Sequence, residues 1–381
     1  MKWEKKKLCE CTEYITDGDH QPAPKADKGV HFIKIKDIVN NQVSFDAQVY
    51  VPQEYYDNLP MERKPQKEDV LYTVVGSFGI PSYVQTDELF CFERNIALLH
   101  PNKDIEPRFL YYSLKNPAFY KGVEIVANGS AQKLIPLSKL KDLKISVPDK
   151  EAQRHIADIL SAYDDLIENN QRQIKLLEEA AQRLYKEWFV DLRFPGHENT
   201  KIVDGVPEGW IKEEIGKIIK KVHRTKQIVA SEYKDEGSIP IVDQSRAFVA
   251  GYTNDLEARV DFGIPIIVFG DHTRIVKLIQ FPFAKGADGT QLIISDCLEM
   301  PQRLLYCSIM NVDLSNYHYA RHFKYLKEEK IMIPTVKVAN EFENNVTGIF
   351  SKIQNCRDEI IRCQKTRNLL LPKLMSGEVE A

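Results

Sequence analysis

The sequence predicts an α+β protein with two mixed α/β domains, separated by a two-helix coiled coil and related by an internal pseudo-twofold repeat. Three observations predict this arrangement. A short apolar segment that ends in proline occurs twice, a long helical pattern follows each copy, and the blocks before the helices share short β-like runs. The expected domains are residues 1–147 and 190–333, with the long helices over residues 148–189 and 334–381.

The repeated segment covers residues 140–148 and, 186 positions later, residues 326–334. Ile145 thus corresponds to Ile331, and Pro148 to Pro334. Both copies alternate apolar and polar residues before the proline, which predicts a short strand that leads into a helix.

The first helical pattern runs from Pro148 to Pro195 without an intervening glycine or proline. Its apolar residues recur in alternating steps of three and four, and the same offset transfers the pattern to the second helix. A 3.5-residue repeat predicts that the two helices supercoil around each other, as a spacer between the domains. The expected contact residues are Leu160, Tyr163, Ile167, Ile174, Leu177 and Leu184 in the first helix and Val346, Ile349, Ile353, Ile360, Leu370 and Leu374 in the second.

Two polar residues interrupt the apolar series. Asn170 either fixes the register of the helix pair at a cost in stability or lies in a frayed or hydrated layer. Arg367 is expected to extend its charged group into solvent at the end of the bundle, with no functional role.

The composition excludes several classes of protein. The chain has 381 residues, 43% of them hydrophobic, which is enough for two or three packed domains. With 52 Lys and Arg against 55 Asp and Glu, the net charge of −3 excludes a uniformly basic nucleic-acid-wrapping protein but allows local basic faces. No apolar run is long enough to cross a bilayer, and the charged N-terminus does not resemble a signal peptide. Seven scattered cysteines without a C-x-x-C pair predict a reducing cytoplasm and no metal site.

The two blocks outside the helices are similar in pattern. Each contains an apolar strand followed by glycine, at Gly76 and at Gly270, and each continues into a helical stretch that begins near Pro107 or Pro301. The other residues differ widely. The sequence therefore predicts two related domains with divergent surfaces.

Several motifs in a fixed order around the duplicated helix are typical of one family. They occupy residues 129–136, 151–160, 207–210, 285–290 and 369–378. Over essentially its whole length, the chain resembles the specificity subunits of type I restriction–modification systems. The second helix departs from the family pattern, because it opens with Thr-Val-Lys-Val-Ala-Asn-Glu at residues 335–341 instead of the acidic residue–glutamine signature that residues 151–153 partly keep. Equal binding of partner subunits at both ends of the helix pair therefore does not follow from the resemblance.

The resemblance implies a role in DNA recognition. Each block would be a target-recognition domain for one half of a split, asymmetric sequence in double-stranded DNA. The helices would form an antiparallel coiled coil between these domains and would dock two modification subunits. Those subunits would bind S-adenosylmethionine, and restriction subunits in the full complex would use ATP and Mg²⁺. This chain would be non-catalytic and would need no cofactor of its own. Because its net charge is negative, we expect weak, salt-sensitive DNA binding that the modification subunits strengthen.

DNA contact requires cations for phosphates and amide, hydroxyl or planar groups for base edges. The aromatic run at residues 317–319 either stacks on an extruded base or packs in a core, and each lysine is either a phosphate contact or a solvated surface residue. The expected DNA contacts are Lys25, Arg63, Lys64, Ser130, Gln132 and Lys133 in the first domain, and Gln244, Arg246, His272, Arg274, Lys285, Thr290, Tyr317, His318, Tyr319 and Arg321 in the second.

Two other functions remain open. A self-contained methyltransferase is suggested by residues 116–119, Asn-Pro-Ala-Phe, which resemble a base-holding loop but lack its second proline and a preceding glycine-rich loop. The alternative for Asn116 is a helix stop before Pro117. Asp142 and Lys144 have the spacing of a nuclease site without the upstream residues. The third function is a coiled-coil assembly protein that binds no nucleic acid.

Overall fold

The computed structural model describes residues 3–39, 41–127, 133–222, 225–286, 289–317 and 321–379. The chain forms two compact units: unit 1 contains Met1–Asn169 and Glu359–Ala381, and unit 2 contains Asn170–Asp358. The boundary passes through both long helices, so each unit includes a part of each helix.

The strands of unit 1 are short. They are β1 (Glu4–Lys7), β2 (Thr12–Asp17), β3 (Val30–Ile33), β4 (Ile38–Val39), β5 (Gln42–Val43), β6 (Tyr50–Val51), β7 (Val70–Thr73), β8 (Pro81–Tyr83), β9 (Phe90–Phe92), β10 (Ile96–Pro101) and β11 (Lys144–Val147). Its helices are α1 (Leu8–Cys11), α2 (Gln53–Asp57), α3 (Pro107–Lys115), α4 (Pro117–Val126), α5 (Leu137–Asp142) and the first part of α6 (Lys150–Tyr185).

The main sheet of unit 1 has the order β2-β10-β7-β8, with antiparallel neighbours. Its central strand β10 is buried on both faces, which explains its unbroken apolar run. Ala97 and Leu99 share a core with α3 and the long helices, whereas Ile96 and Leu98 share a core with the second sheet. That second sheet has the order β6-β3-β9, in which β3 and β9 are parallel.

Unit 2 is built from elements of similar length. Its strands are β12 (Ile202–Val203), β13 (Val206–Pro207), β14 (Ile211–Glu214), β15 (Ile239–Val242), β16 (Gly251–Thr253), β17 (Arg259–Val260), β18 (Ile266–Gly270), β19 (Val276–Ile279), β20 (Phe283–Lys285), β21 (Thr290–Ile293) and β22 (Lys330–Ile333). Its helices are α7 (Gln302–Met310), α8 (His322–Glu328) and the first part of α9 (Val336–Ser376), with a π-helical turn at Lys186–Val190 after α6.

The strand connectivity of unit 1 recurs in unit 2. The order β19-β18-β21 corresponds to β8-β7-β10, and β16-β15-β20 corresponds to β6-β3-β9, including the parallel pair β15 and β20. The pair β14–β22 corresponds to the pair β1–β11. In each pair, the second strand directly precedes a long helix. The predicted α+β class and internal repeat are therefore confirmed.

The long helices α6 and α9 are antiparallel. Within unit 2, the Trp188 ring lies 5.7 Å from the Phe342 ring, and further along the pair Glu178 contacts Arg357 at 2.8 Å. Rising residue numbers in α6 thus meet falling numbers in α9. None of the expected contact residues of the coiled coil is exposed; Leu160, Ile167, Val346, Ile353 and Leu374 are buried and the others are half-buried.

Asn170 and Arg367, the two polar exceptions, are both largely buried. Asn170 is 2% exposed. The side chain of Arg367 is 13% exposed and pairs with Asp164 across the helices of unit 1. The expectation that Arg367 extends into solvent is wrong, because α3 adds a polar cluster beside it. The Tyr112 hydroxyl donates to Asp164 at 2.7 Å, and Lys115 lies 3.7 Å from the same carboxylate.

This cluster predicts an unequal response to two neighbouring substitutions. Asp164→Asn removes the carboxylate shared by two cations, so we expect a loss of about 2–4 kcal/mol in the free energy of unfolding. Asp165→Asn is the matched control, because Asp165 is 55% exposed in its pair with Arg108, and exposed pairs contribute about 0–1 kcal/mol. Equilibrium unfolding in urea measures both values, and equal losses would contradict the cluster's role.

Candidate nucleic-acid interface

Two loops of unit 2 join directly after the buried strands β15 and β18. The Thr273 hydroxyl donates to the carbonyl oxygen of Gln244 at 2.7 Å, and the backbone N–H of His272 donates to the side-chain oxygen of Gln244 at 3.1 Å. Two of the residues expected to contact DNA, Gln244 and His272, therefore lie together. Arg246 is exposed on the first of these loops.

Gly289 closes this cluster from a third segment. Its φ is +85°, and a Cβ there would lie 2.7 Å from Nε2 of Gln244 and 2.8 Å from Cδ2 of His272. Glycine is the residue that permits this conformation and close approach. Thr290, next to it at the start of β21, is fully buried. Thr290 thus lies at the base of the cluster rather than on its surface.

The same loop is attached to the start of α8. Asp271 accepts the backbone N–H of Phe323 with its carboxylate at 2.8 Å, and its carbonyl oxygen accepts the backbone N–H of His322 at 2.9 Å. A carboxylate is favourable at a helix N-terminus, where backbone N–H groups are free. Arg321, which precedes α8, is exposed beside this attachment.

Two further predicted contacts, Arg274 and Tyr317, are engaged inside unit 2. Arg274 has a φ of +61° and donates from Nη1 to the carbonyl oxygen of Leu314 at 3.0 Å. The Tyr317 ring stacks on Tyr325 with centroids 4.1 Å apart, and its hydroxyl donates to Glu329. This packing of Tyr317 corresponds to the alternative in which the aromatic run packs in a core instead of stacking on an extruded base. His318 and Tyr319 lie outside the described residues.

A buried lysine holds the loop that carries Gln244 and Arg246. The Lys277 side chain is 5% exposed, and its ammonium donates to the carbonyl oxygens of Asp243 at 2.8 Å and of Ala247 at 2.5 Å. Both ends of the loop are therefore attached to β19. Burial lowers the pKa of Lys277 to about 8, and the nearby Asp243 carboxylate opposes this shift.

The predicted contacts of unit 1 do not form a comparable cluster among the described residues. Arg63 pairs with Asp19 at 3.3 Å, and Lys64 donates to the carbonyl oxygen of Asp57. Lys25 is exposed at a separate cavity of about 460 Å³. The Lys133 ammonium lies 5.4 Å above the Phe78 ring. Ser130 and Gln132 lie outside the described part of the chain.

Unit 2 also has a basic groove, a cavity of about 900 Å³ that is lined by Lys220, Lys221, Lys285 and Lys327 together with Thr225, Gln227 and Gln291. Only Lys285 was expected from the sequence. The adjacent pair Lys220 and Lys221 was a visible signal, but a short basic pair is equally typical of a solvated surface.

Comparison with known proteins agrees with this architecture. Residues 1–179 match the family model for the type I restriction modification DNA specificity domain. The Methanocaldococcus jannaschii type I restriction enzyme MjaIX specificity subunit is 29% identical over 314 residues, which cover 75% of this chain and 71% of that protein. The chain is thus similar, over three quarters of its length, to a type I restriction enzyme specificity subunit.

Other specificity subunits are similar to this chain over shorter stretches. The Haemophilus influenzae type I restriction enzyme HindI specificity subunit is 29% identical over 170 residues, which cover 42% of this chain and 36% of that protein. The crystal structure of the type I system S subunit from M. genitalium has the same fold, with a TM-score of 0.61 at 17% identity, covering 98% of this chain and 96% of that chain.

The Asn-Pro-Ala-Phe segment at residues 116–119 lies at the boundary between two helices. Asn116 ends α3 and caps α4, because its side-chain oxygen accepts the backbone N–H of Ala118 at 3.0 Å. This geometry is the helix stop, not a base-holding loop. Within the described ranges, no group of three or more His, Cys, Asp or Glu could hold a metal ion, and no helix could span a membrane.

The buried Lys277 predicts a pH dependence of stability. The folded chain releases the Lys277 proton near pH 8, whereas the unfolded chain keeps it up to its ordinary pKa of 10.5. The unfolded state thus binds more protons in this window, so stability should rise with pH by up to about 1 kcal/mol per pH unit.

Lys277→Met should remove this contribution. The measurement is the free energy of unfolding of wild type minus that of the variant between pH 8 and about 10. Lys115, whose pKa burial also lowers to about 8, is present in both proteins and cancels in the difference. Lys212→Met, at an exposed position, is the control. A difference that stays constant with pH would contradict the prediction.

Proposed function

We propose that this chain is the non-catalytic DNA-recognition and scaffold subunit of a type I restriction–modification enzyme. The globular part of each unit recognises one half of a bipartite, asymmetric target, and the paired helices dock two modification subunits. Restriction subunits join the full complex. The enzyme acts on DNA in the cytoplasm.

The repeated strand connectivity of the two units, with different side chains at equivalent loops, is the main support. After β7, the chain of unit 1 continues through Val74 and Val75 to Gly76, whereas after β18 unit 2 has Asp271, His272 and Arg274. One framework with two loop chemistries suits two half-sites of different sequence. Recognition of base edges depends on these side chains, whereas the framework only positions them.

The helix pair supports the scaffold role. α6 has 36 residues and α9 has 41, and each unit contains a part of both. Exposed apolar residues remain on these helices, including Leu166 at 44%, Leu176 at 55% and Leu369 at 59%. Large apolar side chains on an otherwise polar helix surface are typical of contacts with partner proteins.

Exchange of residues 1–147 for the equivalent segment of another family member tests the modular assignment. We expect one half of the methylated motif to change and the other half to stay, because the loops of unit 2 are unaltered. Methylation-sensitive sequencing of host DNA, with the modification subunits present, gives the motif directly. A change in both halves would show that the units do not recognise DNA independently.

Individual loop residues can be tested in the same complex. His272→Ala or Arg246→Ala should weaken binding to the target by about 1–3 kcal/mol and relax specificity in one half-site. Arg259→Ala is the control, because Arg259 is exposed in the same unit and pairs with Asp261. Binding titrations with duplexes altered in one half at a time measure the effect, and equal losses for all three variants would argue against the loop.

A further inference from the structure

We infer that the basic groove of unit 2 holds a phosphodiester backbone of double-stranded DNA. This inference extends the proposed function, because it assigns backbone binding to residues outside the loop cluster of Gln244 and His272.

The groove presents cations from three separate segments of the chain. Lys220 and Lys221 lie between β14 and β15, Lys285 ends β20, and Lys327 lies on α8. Thr225, Gln227 and Gln291 add hydroxyl and amide donors. Among the lining residues that the structure describes, none is a carboxylate. Ammonium, amide and hydroxyl groups are the donors that proteins use toward phosphate oxygens.

The backbone fixes these segments in place. Lys220 donates its backbone N–H to Ile294 at 2.8 Å, and Ile228 donates its own to Lys285 at 3.0 Å. A Cβ on Gly216 would lie 3.0 Å from the Cβ and the carbonyl oxygen of Lys327. Glycine thus allows α8 to approach and places Lys327 beside the groove. The lysine charges held at these positions create a positive potential that attracts DNA.

The ammonium groups of Lys220 and Lys327 are available to a ligand. Lys220 lies 3.5 Å from Asp296, but both side chains are more than half exposed, at 55% and 61%, so the pair is weak. The Lys327 ammonium lies 5.4 Å from the Phe323 ring and forms no ion pair with the residues that the structure describes. An open cavity of about 900 Å³ is much larger than one small anion, which favours a polyanion.

The fold itself does not require cations here. The parallel bridge between Gln227 and Lys285 corresponds, in the repeated connectivity, to the bridge between Asp19 and Glu93 in unit 1. Unit 1 therefore has two carboxylates where unit 2 has an amide and an ammonium. Asp19 is occupied by Arg63 and by the Tyr55 hydroxyl at 3.1 Å. At equivalent positions, unit 1 thus has Glu93 where unit 2 has Lys285, so the fold accepts either charge.

The salt dependence of DNA binding by the full chain tests this inference. The groove variant carries Lys220→Gln with Lys221→Gln, and the control carries Lys212→Gln with Lys234→Gln. The control lysines are exposed in the same unit outside the groove, so both variants lose the same charge. Fluorescence anisotropy with a labelled mixed-sequence duplex gives Kd across a series of NaCl concentrations.

We expect the slope of log K against log salt to become shallower by about 1–2 in the groove variant, since each lost phosphate contact contributes about 0.9. The control should keep the wild-type slope. Equal changes of the slope in both variants, or no change in the groove variant, would show that the groove does not bind the DNA backbone. Such a result would leave the proposed DNA-recognition function intact. A wild-type chain that fails to bind the duplex would overturn the proposed function itself. Single-stranded RNA that competes as well as duplex DNA would overturn the assignment to duplex DNA.

Discussion

The antiparallel packing of α6 against α9 is the constraint on which both units depend. Unit 1 is completed by a helix segment from a distant part of the chain, since residues 359–381 belong with residues 1–169, whereas unit 2 begins and ends with its two helix segments. Apolar side chains such as Leu160 and Leu374 in unit 1, and Phe342 in unit 2, share cores with the sheets. Burial of this apolar surface therefore stabilises the helix pair and the globular parts together.

Polar contacts make the pairing specific. In unit 1, Asp164 joins Arg367 to the Tyr112 hydroxyl, whereas in unit 2 the equivalent aromatic, Tyr306, packs edge-on against Phe350. Phe350 lies 186 positions after Asp164, so the same helix–helix contact is polar in one unit and apolar in the other. A tyrosine can serve in both because it has an apolar ring and a polar hydroxyl. The repeat has thus preserved the geometry of the contact while its chemistry has diverged.

The candidate interface likewise combines a repeated framework with side chains that differ between the units. Its residues were harder to predict. Gln244 and His272 come together as loop residues, whereas Arg274 and Tyr317 are used within the fold, by Leu314 and by Tyr325. An arginine or tyrosine in a polar loop has the same sequence signal in either role. The basic groove was missed for the opposite reason: its lysines are far apart along the chain, and no short motif marks them.

The sequence by itself determined the α+β class, the duplicated strand and helix, and the apolar series along both helices. These features depend on periodicity and spacing, which are local properties of the chain. Only the tertiary structure decided which polar residues face solvent, that Arg367 is paired and that Lys277 is buried. It also decided that Lys220, Lys285 and Lys327 surround one groove. Such outcomes depend on contacts between distant segments, because the free energy of a charge is set by the neighbours that packing places around it.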